Sequence, residues 1–356
     1  MEKKWLLYGA YGYTGELIAE EAIARGHRPV LAGRSQKKLA PLAAKLGLDM
    51  RVFDLRNEME VAEHIAEFDL VFHAAGPFIH TSLPMVRACL RTQTHYVDIT
   101  GEVPVFEQNF GFDAEAQAAS IAIVSGAGFD VVPSDCLAAY VAQKINNPVR
   151  LDIAFATPGG RPSAGTTKSA LENLSIGVRA RHNGELVHVN PKKTTRKVRF
   201  SDCERHVMQI SWGDLATAYR TTGIGNIRTF MAVPPQMASR AGGYLRTGRK
   251  LLKFGALRWL AKKWVEKSVK GPDAETRATA RSYFWARVEN DAGRFAEAWL
   301  ETPEGYYLTA LAGVRIVEKL LAGSIAGACT PAVAFGDDFV LELPNVLRFD
   351  QLQKNP

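Results

Sequence analysis

Residues 9–15 read Gly9-Ala10-Tyr11-Gly12-Tyr13-Thr14-Gly15, directly after the apolar run Trp5-Leu6-Leu7-Tyr8 and directly before the helical pattern of Leu17, Ile18, Ala22 and Ile23. A buried strand that turns sharply into a helix presents free backbone N–H groups and the positive end of the helix dipole to an anion. The anion expected at such a turn is a dinucleotide pyrophosphate. Gly9 permits the tight turn, Gly12 lets the backbone approach the phosphates, and Gly15 lets the helix pack on the strand. Tyr11, Tyr13 and Thr14 complete the candidate cofactor turn. The alternative is a purely structural βα turn in a Rossmann-like fold that holds no ligand.

The next apolar run, Pro29-Val30-Leu31-Ala32, predicts a second strand ending in Gly33-Arg34-Ser35, where an NAD site would carry Asp or Glu. No acid is there to meet a ribose 2′-hydroxyl. The Arg34 guanidinium and the Ser35 hydroxyl, with Lys37 and Lys38 close by, suit a 2′-phosphate instead, because Arg offers phosphate a planar fork of donors. The expected cofactor is therefore NADP (as NADPH) rather than NAD; a solvated basic helix start is the other reading. A third strand, Met50-Arg51-Val52-Phe53, ends at Asp54, which either meets the adenine side of the cofactor or caps the helix beginning near Asn57.

Strands are expected at 4–9, 28–33, 50–54, 69–74, 95–99 and 121–125, with helices at 14–26, 36–46, 58–67, 82–92 and 104–119. This alternation predicts an α/β fold, a Rossmann-type doubly wound parallel sheet, whose ligands bind at the carboxyl ends of the strands. Two loops stand out at that edge. One is His73-Ala74-Ala75-Gly76-Pro77-Phe78, whose small residues (Ala75, Gly76 and Pro77) let a cofactor pass close to the backbone. The other runs from Gly126 to Asp135, where Ser134 or Asp135 would cap a helix over Cys136–Ile145. Beyond residue 150 the pattern changes to strand-like pieces at 151–157, 185–189 and 197–200 with polar or glycine-rich connections, so a second α+β domain is expected. A helix over 309–321 and another over 330–343 follow. The expected organisation is a dinucleotide-binding domain at 1–148, a substrate and dimerisation domain at 149–325, and a segment at 326–356 that returns to the first.

With 356 residues, the chain is long enough for two domains with proper cores. Cys89, Cys136, Cys203 and Cys329 form no CxxC pair and have no histidine at metal-ligand spacing, so neither a disulfide framework nor a metal site is expected. The chain opens on a strand without the pattern of a secretory signal, and no apolar stretch has the length of a membrane span, which places it in the cytoplasm. Its net charge of +7 is concentrated: Arg246 to Lys270 holds nine basic residues against the single acid Glu266, which leaves the remainder near neutrality. From Leu257 onward, Leu257, Leu260, Ala261, Trp264 and Val265 share one helical arc with Arg258, Lys262, Lys263 and Lys267 outside it. Two readings follow: an ordinary surface helix with solvated lysines, or peripheral contact with an anionic membrane face or a lipid-like substrate. Nucleic acid is not expected as a partner, because no binding module accompanies the charge.

The ordered motifs at 9–15, Ala-Gly-Arg at 32–34, Ala-Ala-Gly-Pro-Phe at 74–78, Tyr-Val-Asp-Ile-Thr-Gly-Glu at 96–102 and Gly-Phe-Asp-Val-Val-Pro-Ser-Asp at 128–135 resemble those of the saccharopine dehydrogenase-like reductases. The likeness continues into Ser163-Ala164-Gly165-Thr166-Thr167, Gly305-Tyr306-Tyr307-Leu308-Thr309 and Thr330-Pro331-Ala332. The branch it most resembles contains the trans-acting enoyl reductases and the saccharopine dehydrogenase-like oxidoreductases. His73 departs from the Asn that this resemblance leads one to expect. It is read either as a buried, hydrogen-bonded histidine or as a catalytic one.

The resemblance implies NADP-dependent hydride transfer without naming a catalytic residue. Hydride chemistry belongs to the nicotinamide, and the protein supplies orientation, a proton and exclusion of water. Candidates at the strand ends are His73, Tyr96, Asp98, Asp130, Ser134 and Asp135, with His80 and Lys168 in reach from nearby or from the second domain; each aspartate also has a structural reading as a turn anchor. Tyr140 and Lys144 share the Tyr-x-x-x-Lys spacing of short-chain dehydrogenases, here read as coincidence on a core-facing helix. Three functions remain: an NADPH-dependent reductase of an apolar or lipid-linked substrate, a reductase of an amino-acid or imine substrate, and a non-catalytic NADP-binding protein at a membrane. A homodimer is the expected assembly.

Overall fold

The computed structural model describes residues 3–167, 177–190, 194–237, 265, 268, 269 and 271–352. By compactness the chain divides into two units. The first joins Met1–Asp130 to Tyr306–Ala334, and the second joins Val131–Gly305 to Phe335–Pro356. Almost all of the basic segment from Arg246 to Lys270 lies outside the described residues, as does Lys168.

The first unit is built on β1 (Trp5–Tyr8), β2 (Val30–Gly33), β3 (Met50–Val52), β4 (Leu70–His73), β5 (His95–Asp98) and β6 (Ala122–Val124). All pair in parallel, with β1 and β4 buried at every position. Near-continuous apolar strands such as Trp5-Leu6-Leu7-Tyr8 are what a sheet covered on both faces demands. Between them run α1 (Tyr13–Ala24), α2 (Gln36–Leu46), α3 (Glu58–Ile65), α4 (Phe78–Thr92), α5 (Val103–Phe110) and α6 (Asp113–Ala118). The single helix expected over 104–119 is thus two, separated at Gly111-Phe112. α2 stops where Gly47 takes a left-handed conformation (φ +61°). α3 is capped by Asn57, whose side chain accepts the Met59 N–H at 3.1 Å, so Asp54 does not serve as its cap. The seventh strand comes from far along the chain. After α10 (Gly305–Ala322), β15 (Gly327–Cys329) pairs with β6, giving the order β15-β6-β5-β4-β1-β2-β3. Gly313 on α10 lies against the Phe72 ring, where a Cβ would stand 2.7 Å from Cζ.

The second unit carries a nine-stranded sheet built from β7 (Arg150–Ala156), β8 (Arg179–His182), β9 (Glu185–His188), β10 (Thr195–Arg199), β11 (Glu204–Ile210), β12 (Asn226–Ala232), β13 (Arg281–Glu289), β14 (Phe295–Pro303) and β16 (Leu347–Phe349). Only β7 and β12 pair in parallel along its main path. Helices α7 (Val132–Ala142) and α8 (Asp214–Thr222) pack on one face of it. The other face clusters Phe200, Val207, Phe230, Trp285 and Trp299. A short helix, α9, spans Ala274–Thr279. The helix expected over 330–343 is broken into α11 (Pro331–Phe335) and a 3₁₀ turn at Phe339–Glu342, because Gly336 between them has φ +87°. No helix among the described residues is long and apolar enough to cross a membrane.

Candidate functional site

The carboxyl ends of the parallel strands carry the site of the first unit. After β1 the chain turns at Gly9 with φ +87°, a conformation that favours glycine, and a Cβ there would stand 2.8 Å from the Cβ of Ala75. Gly12 is the N-cap of α1 and brings no side-chain cap, so the positive end of this helix opens on the turn that carries Tyr11, Gly12, Tyr13 and Thr14. Gly15 is pressed on main chain: its Cβ would meet the Gly9 carbonyl oxygen and lie 2.9 Å from the Ala10 Cα. The Tyr13 ring stacks edge-on against Tyr306, with centroids 5.0 Å apart, which ties the Gly-Tyr-Tyr motif near the C-terminus to this turn.

At the end of β2, the Tyr11 ring lies across Gly33, 2.5 Å from where a Cβ would be, and Lys38 Nζ sits 5.8 Å from the centre of that ring. Arg34 is exposed and makes no hydrogen bond or ion pair among the described residues. Ser35 is the N-cap of α2, yet its hydroxyl makes no capping bond. A free guanidinium and a free hydroxyl at the amino end of a helix form a donor set for phosphate. Asp54 is instead engaged locally. It accepts Arg56 N at 2.9 Å and Arg56 Nη2 at 2.5 Å, and that guanidinium holds its carboxyl below the usual range.

The loop after β4 runs through Ala74, Ala75, Gly76 and Pro77, with a cis Gly76–Pro77 peptide. Thr81 Oγ1 donates to the Ala75 carbonyl at 2.8 Å and secures this loop from the first turn of α4. Glu102, which sequence reasoning passed over, secures it from the other side: its carboxylate accepts the N–H groups of Phe78 at 3.0 Å and Ile79 at 2.9 Å.

His73, Tyr96 and Asp98 are fully buried inside the sheet. Tyr96 donates its hydroxyl to Asp98 Oδ2 at 2.9 Å and stands 3.2 Å from His73 Nδ1 and from Ser82 Oγ. Asp98 also accepts Ser125 Oγ at 3.1 Å and the N–H groups of Thr100 and Gly126 at 3.0 Å, so it joins the ends of β5 and β6. Burial lowers the His73 pKa to about 3 and raises that of Asp98 to about 6. His73 is therefore a neutral imidazole at physiological pH.

Asp130 differs from these three. It ends the loop after β6, is only partly covered, and accepts no hydrogen bond from the described residues. Burial first, and the neighbouring Glu102 charge second, push its pKa up to about 7. Its carboxyl rests on Gly101, where a Cβ would stand 3.1 Å from Asp130 Cγ. The loop carrying it is held by Thr309 of α10, which accepts the Phe129 N–H at 3.0 Å and packs on Gly128.

Ser134 and Asp135 belong to the second unit. α7 begins at Val132, earlier than the Cys136 expected, so both residues lie inside its first turn and neither caps it. Ser134 Oγ bonds the Val131 carbonyl at 3.2 Å, and Asp135 accepts Thr221 Oγ1 at 2.6 Å. Tyr140 and Lys144 both bind the Asp350 carboxylate, at 2.8 and 2.9 Å, which fastens the end of the chain to α7. His80 on α4 is exposed.

Residues 5–124 match the family model described as the saccharopine dehydrogenase NADP binding domain. The cofactor of such a domain is NADP(H), as the Arg34-Ser35 pair and the missing acid led one to expect. A saccharopine dehydrogenase-like oxidoreductase of Bos taurus is 28% identical over 192 residues, covering 47% of this chain and 44% of that protein. A trans-acting enoyl reductase of Mycobacterium leprae is 36% identical over 138 residues, 36% of this chain and 33% of that protein. The chain thus spans less than half the length of the curated relatives it matches. Apo saccharopine dehydrogenase (L-Glu forming) from Saccharomyces cerevisiae has the same fold, with a TM-score of 0.66 over 98% of this chain and 100% of that one, at 12% identity.

Proposed function

We propose that the protein is an NADPH-dependent reductase in which Asp130 supplies the proton that accompanies the hydride. The observation that carries this reading is a dinucleotide turn on the same sheet edge as a carboxyl with no hydrogen-bond partner among the described residues and a pKa of about 7. When bound, NADPH supplies the hydride. Gly9, Gly12 and the amino end of α1 would hold its pyrophosphate, and Arg34 and Ser35 its 2′-phosphate. Asp130, half protonated near neutrality, gives its proton to the atom that hydride addition leaves electron-rich, and a pKa close to the working pH is the most effective for that role.

The substrate class we favour is an apolar or lipid-linked enoyl compound, in keeping with the name of the mycobacterial relative and with the basic, tryptophan-bearing stretch at 246–270. One observation favours an amino-acid or imine substrate instead. The second sheet carries Arg196, Arg228 and Arg287, and Arg196 Nε and Nη2 have no hydrogen-bond partner among the described residues. Asp152 and Glu297 already take part of that charge, at 2.8 and 2.7 Å from Arg196 and Arg228 and 3.4 Å from Arg287.

Calorimetric titration with NADPH and separately with NADH tests the cofactor assignment; preference for NADPH is expected, and binding of neither would overturn it. NADPH oxidation is then followed at 340 nm with an enoyl thioester and, separately, with 2-oxoglutarate plus lysine or glutamate. Turnover of the thioester supports the favoured class, and turnover of the second mixture replaces it. NADPH binding without turnover of any electrophile would make this a cofactor-binding protein rather than a reductase.

A further inference from the structure

Three loops of the first unit meet at Glu102. Its carboxylate caps the amino end of α4, where the N-cap residue Pro77 has no side chain that could do so. Its own N–H donates to Thr100 Oγ1 at 3.1 Å, and the preceding Gly101 lies beneath the Asp130 carboxyl. Only 4% of Glu102 is exposed, and two N–H donors with the positive end of the helix dipole compensate that burial.

We propose that Glu102 is a positioning residue for hydride transfer: it holds the 74–77 loop against the dinucleotide turn and sets a negative charge beside Asp130. Its functional meaning rests on the reductase reading above. The loop it holds touches the turn directly, since the Ala75 Cβ lies 2.8 Å from where a Cβ on Gly9 would be. Thr81 secures the same loop without a charge. Around Asp130, Gly101 and Phe129 are uncharged, and among the described residues Glu102 is the charged group that acts on it, together with burial. One side chain therefore couples the seat of the cofactor to the proton held at Asp130.

The test is a pH titration of the full-length protein by ¹³C carboxyl NMR, with the Asp130 signal assigned by its loss in Asp130→Asn. The native midpoint is expected near 7. Glu102→Gln keeps the shape and removes the charge, and should lower that midpoint by roughly one pH unit while weakening NADPH binding about tenfold. Thr81→Val should also weaken NADPH binding but leave the Asp130 midpoint where it is, which separates the charge from simple loosening of the loop. A native midpoint below about 5, or the same midpoint in Glu102→Gln, would overturn the proposal. Should Glu102→Gln not fold, Glu102→Asp, which is too short to reach both N–H groups, must bind NADPH more weakly; native affinity there overturns the holding role. Failure of the reductase reading looks different: no enoyl or imine turnover, with the Asp130 midpoint still moving in Glu102→Gln.

Discussion

The three glycines of the dinucleotide turn meet different surroundings, and exchanging two of them for alanine should separate stability from binding. A Cβ on Gly15 would press on the Gly9 carbonyl oxygen and stand 2.9 Å from both the Cα and the oxygen of Ala10. All three neighbours are main chain, so no rotamer change relieves them and α1 must back away from β1. Overpacking of this kind costs up to about 3 kcal/mol, against which the better helix propensity of alanine returns about 1 kcal/mol. The net loss for Gly15→Ala is then about 2 kcal/mol. Gly12 has a φ of −77°, which any residue adopts, and a Cβ there meets only the Gly9 oxygen, at 3.2 Å. The small loss of capping by alanine is offset by its stiffer unfolded chain, so Gly12→Ala should stay within about 0.5 kcal/mol of native stability. Its methyl group, however, occupies the approach to the pyrophosphate, and NADPH affinity should fall at least tenfold, about 1.4 kcal/mol. Thermal melting of the apo proteins and calorimetric titration with NADPH provide the two readouts. A Gly12→Ala protein that binds NADPH as tightly as the native one would refute the placement of the pyrophosphate, and equal melting losses in both variants would refute the packing difference.

Other perturbations follow from the same geometry. Arg34→Asp should weaken NADPH by roughly a hundredfold through lost charge-assisted bonds and new repulsion, with NADH little changed; equal loss of both in calorimetry would count against a 2′-phosphate site at Arg34. Because the Asp130 pKa is raised in the fold, its contribution to stability is full below the unfolded value near 3.8 and is lost as pH rises through about 7. Asp130→Asn should therefore gain on the native protein between pH 4 and pH 8, by about 1–2 kcal/mol after discounting for its partial exposure, and parallel urea-denaturation curves across that range would sink the idea. Tyr140→Phe removes a partly exposed bond to Asp350 and should cost no more than about 1 kcal/mol in melting, with NADPH affinity intact.

The parallel sheet was legible because its strands are unbroken apolar runs and its first turn is glycine-rich, a local pattern that needs no distant residue to interpret. What escaped was set at a distance. Glu102 caps a helix whose first residues lie 23 and 24 positions earlier in the chain, and no spacing rule connects them. β15 is three residues of Gly-Ala-Cys, too short and too small to announce a strand, and it exists because β6 offers an open edge. Other misses had signals that were there to be used. Pro133 sits in the first turn of α7, where proline is favoured, and Gly336 interrupts the helix expected over 330–343. The candidate acids divide by environment rather than by residue type: Asp98 is saturated with donors inside the sheet, while Asp130 has none from the described residues, and a sequence prints both as the same letter.

The seventh strand of the first sheet also has a temporal meaning. The segment that completes this unit, Tyr306–Ala334, is separated from the rest of it by the 175 residues of Val131–Gly305. A ribosome therefore delivers six strands long before it delivers the last, and during that interval the nascent chain carries β6 as a bare edge and lacks the Gly313 and Thr309 contacts of α10. Such an edge is a template for pairing with other chains. Premature termination anywhere before residue 306 should thus release an aggregation-prone fragment rather than a free-standing cofactor domain.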